Sequence, residues 1–293
     1  MNDKVSISYL VLAYRDPRLL GQLTDWLSRG SSTILVHVDS GVDQAPFAES
    51  ANPIARFVSP RFSCPWGTWG RVGASLEMLR EAVESGSSHI VLLSEDSFPL
   101  HDPESIPSLL ESSGVGVWMD GEPMGSKSKP ITRLSRISNH RGDPRKQSRL
   151  LKILQALPFT YEKVDHRRHL GGIAPWAGDS WWILTNKAAT DILEFSKSNP
   201  DTMEFFSRTW IPDEHFFQSV VALADPSVKF RGTPILADWS SGNSKFPPYF
   251  FDINSIDTLR AGKSDYLFAR KLERFDENMT QEIERIWEND LVP

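Results

Sequence analysis

The fold of this protein is decided by residues 7–17, which read ISYLVLAYRDP. The nearly unbroken apolar run Ile7–Ala13 is typical of a β-strand that is covered on both faces. Asp16 and Pro17 are favourable residue types for an N-cap and a first helical position. The leucines that follow recur at helical spacing, at Leu19, Leu20, Leu23 and Leu27. The stretch therefore predicts a buried strand followed at once by a helix.

The alternation of strand and helix continues through the first 120 residues. Further strands are predicted at 33–38, 56–58, 89–93 and 115–119, and a second helix is marked by Val72, Leu76, Leu79 and Val83. In the second half, a strand is predicted at 181–184 and helices at 188–195, after Ile211 and at 283–287. The βαβ order implies an α/β fold class, with a Rossmann-type, mainly parallel sheet flanked by helices.

The composition is that of an ordinary folded chain. Its 293 residues are 40% hydrophobic and 24% charged, with a net charge of −6, which argues against disorder and against nucleic acid as a partner. The apolar runs are too short to span a bilayer and the N-terminus lacks a signal-peptide pattern, so a cytoplasmic protein is expected. One cysteine, Cys64, excludes an internal disulfide framework.

Charge is segregated along the chain. Residues 127–168 contain twelve Lys or Arg and three acids, a local charge of +9. This basic segment could present a face to an anionic ligand, and it could equally be a solvated loop and helix surface.

Several common catalytic signatures are absent from the sequence. It has no G-x-G-x-x-G, P-loop, H-E-x-x-H or Cys/His metal spacing. Glu95 and Asp96 follow the strand predicted at 89–93, and open α/β sheets bind ligands beyond the carboxyl ends of their strands. Paired acids there could hold Mg²⁺ or Mn²⁺, or could simply form a turn.

Six motifs together resemble a known family. They occur in the order YLVLAYRDP at 9–17, VHVD at 36–39, WGRVGA at 69–74, LLSEDSFPL at 92–100, PDEHFF at 212–217 and LFARK at 267–271. Over about residues 7–275 the chain is similar to glycosyltransferase family 14, the core-2/I-branching N-acetylglucosaminyltransferases and peptide O-xylosyltransferases. The resemblance implies a GT-A-like nucleotide-sugar fold, and the missing disulfides of animal members favour a bacterial enzyme.

The resemblance also implies an inverting transfer without a metal ion or other cofactor. An acid must then accept the proton of the acceptor hydroxyl, and the family's base corresponds to Glu214. Glu214 follows Pro212 and Asp213, so we expect it in the first turn of a helix, where the helix dipole favours the ionised carboxylate.

The family holds the diphosphate of its donor with basic side chains. Its lysine corresponds to Lys271, with Arg270 beside it, and two such cations could replace a metal. A second family cation from an upstream loop has no clear counterpart; Lys245 is the first choice and Arg260 a weaker one. Asp39 corresponds to the acid that binds uracil, and Arg71 and Trp69 are expected to shape the nucleotide pocket.

Acceptor and donor-sugar contacts of the family fall near residues 178–182. Asp179, Trp181 and Trp182 are therefore candidates for substrate binding, and Asp96 is a further candidate. In the fourth motif, however, the family's acid is displaced by one position, which leaves open a metal-dependent enzyme using Glu95 and Asp96. A catalytically silent protein that binds glycans or nucleotides is the other alternative.

These expectations combine into one hypothesis. A single domain, 1–293, would consist of a nucleotide-binding half, 1–120, and an acceptor-binding and catalytic half, 121–293, with a basic insertion at 127–168. It would transfer N-acetylglucosamine or xylose from a UDP-sugar to a hydroxyl of a glycan or glycoconjugate, in polysaccharide biosynthesis at or near the inner membrane face. Arg133 and Arg136 of the basic segment would dock an anionic acceptor.

Overall fold

The computed structural model describes residues 5–137, 162–240, 248–274 and 276–288. Its strands are β1 (Ile7–Ala13), β2 (Ser32–Val38), β3 (Arg56–Phe57), β4 (His89–Ser94), β5 (Ser97–Pro99), β6 (Val117–Met119), β7 (Glu122–Pro123), β8 (Arg136–Ile137), β9 (Glu162–Lys163), β10 (Trp176–Ala177), β11 (Trp182–Thr185), β12 (Ile235–Ala237) and β13 (Phe268–Arg270). Its α-helices are α1 (Pro17–Leu27), α2 (Ala45–Ser50), α3 (Gly70–Glu84), α4 (Ile106–Ser113), α5 (Thr132–Ser135), α6 (Asn186–Ser198), α7 (Pro200–Ser207), α8 (Phe216–Ala224), α9 (Ile256–Gly262) and α10 (Glu277–Trp287). None of these described helices is long and apolar enough to cross a membrane.

The central sheet contains strands β3, β2, β1, β4, β11 and β6, side by side in that order. Neighbours among β3, β2, β1 and β4 are parallel, whereas β11 is antiparallel to both β4 and β6. Because two antiparallel steps restore the original direction, β6 runs the same way as β1. The predicted α/β fold with a mainly parallel sheet is confirmed.

The stretch that decides the fold behaves as its sequence indicates. Every residue of β1 is buried, as expected for a strand with a neighbour on each side and helices over the sheet. Asp16 is the N-cap of α1, and its Oδ1 accepts the backbone N–H of Arg18 at 2.9 Å. Strand, cap and helix were all predicted from local pattern alone, and all three are confirmed.

A smaller sheet contains most of the LFARK motif, in strand β13. Its order is β12, β13, β5, with β13 parallel to β12 and antiparallel to β5. Helix α10 packs against this part of the molecule: the ring of Trp287 lies 5.8 Å from that of Trp26, and its Nε1 donates to the carbonyl of Pro99 at 3.0 Å. These contacts fix β5 and hence the end of β13, where Arg270 is the last residue and Lys271 follows.

Both halves of the sequence contribute to both sheets. Strand β11, from the second half, lies between β4 and β6, while β5, from the first half, pairs with β13. The two halves expected on either side of residue 120 therefore do not form separate sheets.

The polar residues that follow the parallel strands meet at one edge of the central sheet. Strands β1, β2 and β4 end just before Arg15, Asp39 and Glu95 respectively. Strand β11 runs the opposite way, so its beginning, preceded by Trp181, lies at the same edge. This carboxyl edge is where open α/β sheets bind their ligands.

Candidate active site

Glu214 ends a short 3-10 turn, Pro212–Glu214, that precedes helix α8. The turn is entered through Ile211, whose φ of 54° lies in a region that β-branched residues rarely adopt. The N–H of Glu214 donates to the carbonyl of Ile211 at 3.1 Å, and its carbonyl accepts from the N–H of Gly178 at 2.9 Å. Glu214 thus lies in the first turn of a helix, as expected, but this helix is a 3-10 helix of three residues, and His215, with φ −151°, separates it from α8.

Two cations from the basic segment hold the Glu214 carboxylate. Lys129 Nζ lies 2.7 Å and Arg133 Nη1 2.6 Å from Glu214 Oε2. Burial alone would raise the pKa of Glu214, but these two charges outweigh it and hold the pKa below its usual value. No group in the described ranges hydrogen-bonds to Oε1, so one oxygen of an ionised carboxylate remains able to accept a proton. The ion pairs, more than a helix dipole, keep this acid charged.

Arg133 is therefore not a surface docking residue. Its side chain is 15% exposed, its Nη1 pairs with Glu214, and its Nη2 donates to the carbonyl of Ser128 at 2.9 Å. The predicted role of the Arg136 side chain, like that of residues 138–161 of the basic segment, lies outside what the structure describes. Of the described cations of the segment, Lys129 and Arg133 support the carboxylate of Glu214, whereas Lys163, Arg167 and Arg168 are exposed.

Arg71 connects Glu214 to the rest of the site. Its Nη1 donates to Asp213 Oδ2 at 2.7 Å, and Ser180 Oγ donates to the same oxygen at 2.9 Å. Burial disfavours the charge of Arg71, but the carboxylate of Asp213, with a smaller contribution from Glu214, raises its pKa above the usual value. Arg71 is thus a partly buried, permanently charged cation next to the candidate base.

The two adjacent tryptophans have different surroundings. Arg71 and Arg270 both approach the ring of Trp181, with Cζ atoms 5.5 Å and 4.6 Å from its centroid. Trp182 is 0% exposed and packs against Phe217 in the hydrophobic core, 5.0 Å between ring centroids. The prediction that Trp182 binds substrate is therefore wrong, whereas Trp181 lies between two cations of the site.

Arg270 and Lys271 lie beside the acidic pair that follows β4. Arg270 Nη2 lies 3.3 Å from Asp96 Oδ1, which also accepts a short hydrogen bond from Ser94 Oγ. Burial would raise the pKa of Asp96, but Arg270 and its other donors hold it below the usual value. Burial and the neighbouring charge of Arg270 lower the pKa of Lys271 to about 8. An anion that entered here would raise the pKa of this lysine and would favour its charged form.

A further cation, Arg15, completes this group. Its Nη2 donates to the carbonyl of Leu272 at 2.7 Å and lies 3.9 Å from Asp96 Oδ2. The Phe250 ring lies below both Arg15, at 5.3 Å, and Lys271, at 5.7 Å. We did not single out Arg15 from the sequence, although its place two residues after the end of β1 could have indicated it. Arg15, Arg71, Arg270 and Lys271 are called the cation cluster below.

The two sequence candidates for a second diphosphate cation do not join this cluster in the structure. Lys245 lies outside the described residues. Arg260 is on α9, half exposed, and it pairs with Asp257 and with Glu282 of α10. The suggestion of Arg260 is wrong, because these ion pairs hold it against the helices. Arg15 and Arg71 supply the additional charge.

Two residues expected at the nucleotide have structural contacts. Asp39 Oδ1 accepts the N–H of Gly41 at 2.7 Å, and its Oδ2 accepts that of Cys64 at 3.0 Å. Asp39 thus shapes its own turn at the end of β2 and ties it to the following loop. Trp69 packs on the core, with its ring 5.2 Å from that of Phe216 in an edge-on arrangement. Packing in the hydrophobic core is therefore enough to explain why a tryptophan stands at position 69.

Asp179 belongs to the side of the site where Glu214 lies. Burial raises its pKa; Lys129 opposes this effect, and Asp120 and Glu214 reinforce it. Its backbone carbonyl accepts from Gln218 Nε2 at 2.7 Å, whereas no described residue hydrogen-bonds to its carboxyl group. Asp179 remains a candidate for contact with a substrate hydroxyl.

An exposed tryptophan that we overlooked in the sequence lies close to the base. Trp210 is 48% exposed, its N–H donates to the carbonyl of Arg133 at 3.3 Å, and its carbonyl accepts from His215 Nε2 at 3.2 Å. Its indole edge approaches Gly67, where an added β-carbon would lie 3.6 Å from Nε1. A fixed, exposed ring of this kind suits the apolar face of a sugar. Its position four residues before Glu214 in the sequence could have indicated that it lies near the base.

Glu95 and Asp96, the acids of the alternative metal site, are both buried. Asp96 faces the guanidinium groups of Arg15 and Arg270, and Glu95 accepts backbone N–H groups of the loop after β1. Within residues 5–137, 162–240, 248–274 and 276–288, no group of three or more His, Cys, Asp or Glu side chains is placed to hold a metal ion.

The site thus has two joined parts. An ionised carboxylate with an available oxygen lies at one end, and the cation cluster lies at the other, connected through Asp213, Arg71 and Trp181. Such a combination, at the carboxyl edge of an α/β sheet, is chemically suited to the class of enzymes that transfer a group from a phosphorylated donor.

Comparison with known proteins identifies the family within that class. The family model described as "Core-2/I-Branching enzyme" matches residues 7–260, and the chain belongs to this family. The protein is therefore a glycosyltransferase of class EC 2.4, which uses a nucleotide-sugar donor and a glycan acceptor. The match includes Glu214 and Arg71 but ends before Arg270 and Lys271, whose assignment depends on the geometry and on the LFARK motif.

The other comparisons add little. A solved structure, 4-diphosphocytidyl-2C-methyl-D-erythritol synthase from Anaerococcus prevotii, is similar at 12% identity with a TM-score of 0.34, covering 76% of this chain and 96% of that one. No curated protein matches the chain.

Proposed function

We propose that this glycosyltransferase inverts the anomeric centre of a UDP-sugar without a metal ion, using Glu214 as the base and the cation cluster to receive the diphosphate. The observation that carries the proposal is the connected arrangement of these two parts on one edge of the sheet. N-acetylglucosamine and xylose remain the proposed donor sugars, and Asp39 is the proposed contact to uracil.

The proposed reaction needs one proton transfer and one displacement. Glu214 Oε1 accepts the proton of the acceptor hydroxyl as that oxygen attacks the anomeric carbon. The bond from this carbon to the β-phosphate oxygen breaks on the opposite face, and its electron pair stays on UDP. A positioned base of this kind contributes about 10² to 10⁴-fold in rate. Because Lys129 and Arg133 both donate to Glu214 Oε2, the transferred proton binds to Oε1.

The cation cluster is suited to the charge that grows on the departing UDP. One cation about 4 Å from a phosphate oxygen gains roughly 4 kcal/mol of raw Coulomb energy at an effective dielectric near 20, before desolvation costs. Arg270 and Arg15 also contact Asp96, so this carboxylate offsets their mutual repulsion and keeps both side chains oriented before the donor arrives. Preorganised charges of this type require little rearrangement at the moment of reaction.

The acceptor is proposed to enter beside Trp210 and Asp179, on the side of the site where Glu214 lies. Trp210 offers an exposed ring, and Asp179 offers a carboxyl group to a sugar hydroxyl. An anionic acceptor is not part of this proposal, because the Arg133 charge is neutralised by Glu214.

Nucleotide binding and turnover test the two parts separately. In Glu214→Gln we expect kcat to fall by about 10² to 10⁴-fold and the Kd of UDP to stay within threefold, as judged by calorimetry. Lys271→Ala should weaken UDP binding by about tenfold or more. Glu194→Gln and Lys197→Ala, at exposed positions on α6, are the matched controls.

Each part can fail by itself. Full turnover in Glu214→Gln would remove the base, and an unchanged Kd in Lys271→Ala would remove the diphosphate site. Turnover that is lost in excess EDTA and restored by Mn²⁺ would instead support the metal-dependent enzyme with Glu95 and Asp96. Binding of UDP-sugars without UDP release, across a panel of acceptors, would contradict the proposed reaction altogether.

A further inference from the structure

Glu95 is buried at the centre of the site, but neither proton transfer nor a direct phosphate contact requires it. It directly follows β4 and is 1% exposed. Its Oε1 accepts two backbone N–H groups from the loop after β1, that of Tyr14 at 3.2 Å and that of Arg15 at 2.8 Å. Its Oε2 is buried and has no hydrogen-bond partner in the described parts of the chain. A buried acid with this arrangement needs an explanation.

The two hydrogen bonds fix the backbone where Arg15 begins. From that point the Arg15 side chain reaches the carbonyl of Leu272 and the carboxylate of Asp96, both on other parts of the chain. A long side chain that must meet distant partners depends on where its Cα lies. Without Glu95, the loop N–H groups would lose their acceptor and Arg15 would lose its fixed starting point.

We propose that Glu95 is a positioning residue, which fixes the loop after β1 and thereby holds Arg15 in the cation cluster that receives the donor diphosphate. This inference rests on the proposed function, since it assumes that the cluster binds that diphosphate. Glu95 itself does not touch the substrate, and its effect passes through Arg15.

The charge of Glu95 gives a second, independent readout. Burial and the neighbouring Asp96 raise the pKa of Glu95 to about 7, and the backbone N–H groups of Arg15 and Tyr14 partly oppose the rise. The Tyr14 phenol, whose own pKa is raised by burial and by Glu95, stays neutral in this range.

Charged groups that face this pair come from the end of β13, from Lys271 after it and from the loop after β1. Arg270, Arg15 and Lys271 all lower the pKa of the adjacent Asp96, which burial alone would raise, so Asp96 stays charged. A diphosphate that enters among these groups adds negative charge and raises the pKa of Glu95 further. UDP binding is therefore coupled to uptake of a proton by Glu95, and it weakens as the pH rises through 7.

A double-mutant cycle tests the positioning role with the full-length protein and UDP as ligand. Arg15→Ala and Glu95→Ala should each raise the Kd of UDP by about tenfold, because both remove Arg15 from the cluster. The double variant should be no weaker than either single one, because both changes act on the same contact. Glu49→Ala, at an exposed position on α2, is the matched control.

Three results would overturn the inference. One is a wild-type Kd in Glu95→Ala, and another is a double variant whose Kd rises by the product of the single effects. The third comes from Glu95→Gln, which keeps a side-chain oxygen to accept the N–H groups of the loop after β1. This variant also replaces Glu95→Ala as the test if Glu95→Ala does not fold. The terminal phosphate of UDP and Lys271 also titrate near this range, but they do so equally in both proteins, so the ratio of the wild-type Kd to the Glu95→Gln Kd isolates Glu95. This ratio should rise by up to about fourfold between pH 6 and 7.5 for one linked proton. Glu95→Gln should bind normally at pH 6, and a ratio that does not change with pH would contradict the proposal.

Failure of the inference is distinguishable from failure of the proposed function. If Lys271→Ala weakens UDP binding and Glu95→Ala does not, only the positioning role is lost. If Lys271→Ala and the wild type bind UDP equally, the diphosphate site itself is wrong.

Discussion

The ion pairs at Glu214 predict how this enzyme responds to acid. Replacing Lys129 with Met removes a charge 2.7 Å from Glu214 Oε2 and keeps a side chain of similar length. Lys129 also donates to the carbonyl of Gly178 at 2.8 Å, and its side chain is 14% exposed, so water compensates only in part. Arg133 remains on the same oxygen at 2.6 Å.

The magnitude follows from the balance between burial and charge. Burial pushes the pKa of Glu214 up, and Lys129 and Arg133 push it down, with Lys129 the larger of the two. A close opposite charge typically lowers a carboxyl pKa by about 1 to 3 units. Because Arg133 still contacts the carboxylate, we expect Lys129→Met to raise the pKa of Glu214 and to move the acid limb of the kcat profile up by about 1 to 2 pH units.

The dependence of kcat on pH measures this shift. A base must be ionised, and a folded-state pKa below the ordinary value keeps wild-type activity level from pH 7 down to about 5. In Lys129→Met, protonation of Glu214 begins at a higher pH, so activity should fall across that range while activity at pH 8 stays within a few-fold. The control is Lys187→Met, which removes a solvated pair with Asp191 on α6.

Two results would refute this reasoning. An acid limb that does not move in Lys129→Met would mean that Glu214 is not the titrating base or that Lys129 does not set its pKa. Equal loss of kcat at every pH would mean that Lys129 acts on the substrate itself.

Two further predictions concern the surroundings of the base. In Gly178→Ala the new β-carbon would lie 2.1 Å from the carbonyl oxygen of Asp120, so urea denaturation should show a free energy of unfolding lower by about 1 to 3 kcal/mol. The control is Gly116→Ala, where the nearest atom to the new β-carbon is 3.9 Å away. Equal stability of the two variants would contradict the close approach at Gly178. Trp210→Ala should raise the acceptor KM by roughly 2- to 10-fold through lost ring contact, with the Kd of UDP unchanged, whereas an unchanged acceptor KM would remove Trp210 from the acceptor site.

The proposed donor and acceptor sides of the site use positive charge for different purposes. Lys129 and Arg133 neutralise Glu214 and keep it ionised, while Arg270 and Arg15 share Asp96 and still present charge to an incoming anion. Two cations of the basic segment that looked like a docking face in the sequence, Lys129 and Arg133, are thus part of the catalytic machinery proposed here.

Much of the site could be located from residues that follow predicted strands. Asp39, Glu95 and Asp96 were placed at strand ends from apolar pattern alone, and parallel strands bring such ends to one edge. Arg15 could have been found by the same rule. Glu214 needed the family motif, because two acids after a proline are also common at helix starts.

The sequence by itself determined the elements, since a strand covered on both faces and a capped helix are specified by residues close together in the chain. It could not determine that Trp181, and not the likewise buried Trp182, contacts the cations of the site, because neighbouring residues of an extended segment point to opposite sides and packing selects between them. Nor could it pair Glu214 with Lys129, 85 residues away. Such contacts depend on how distant segments pack, and only the tertiary structure decides that.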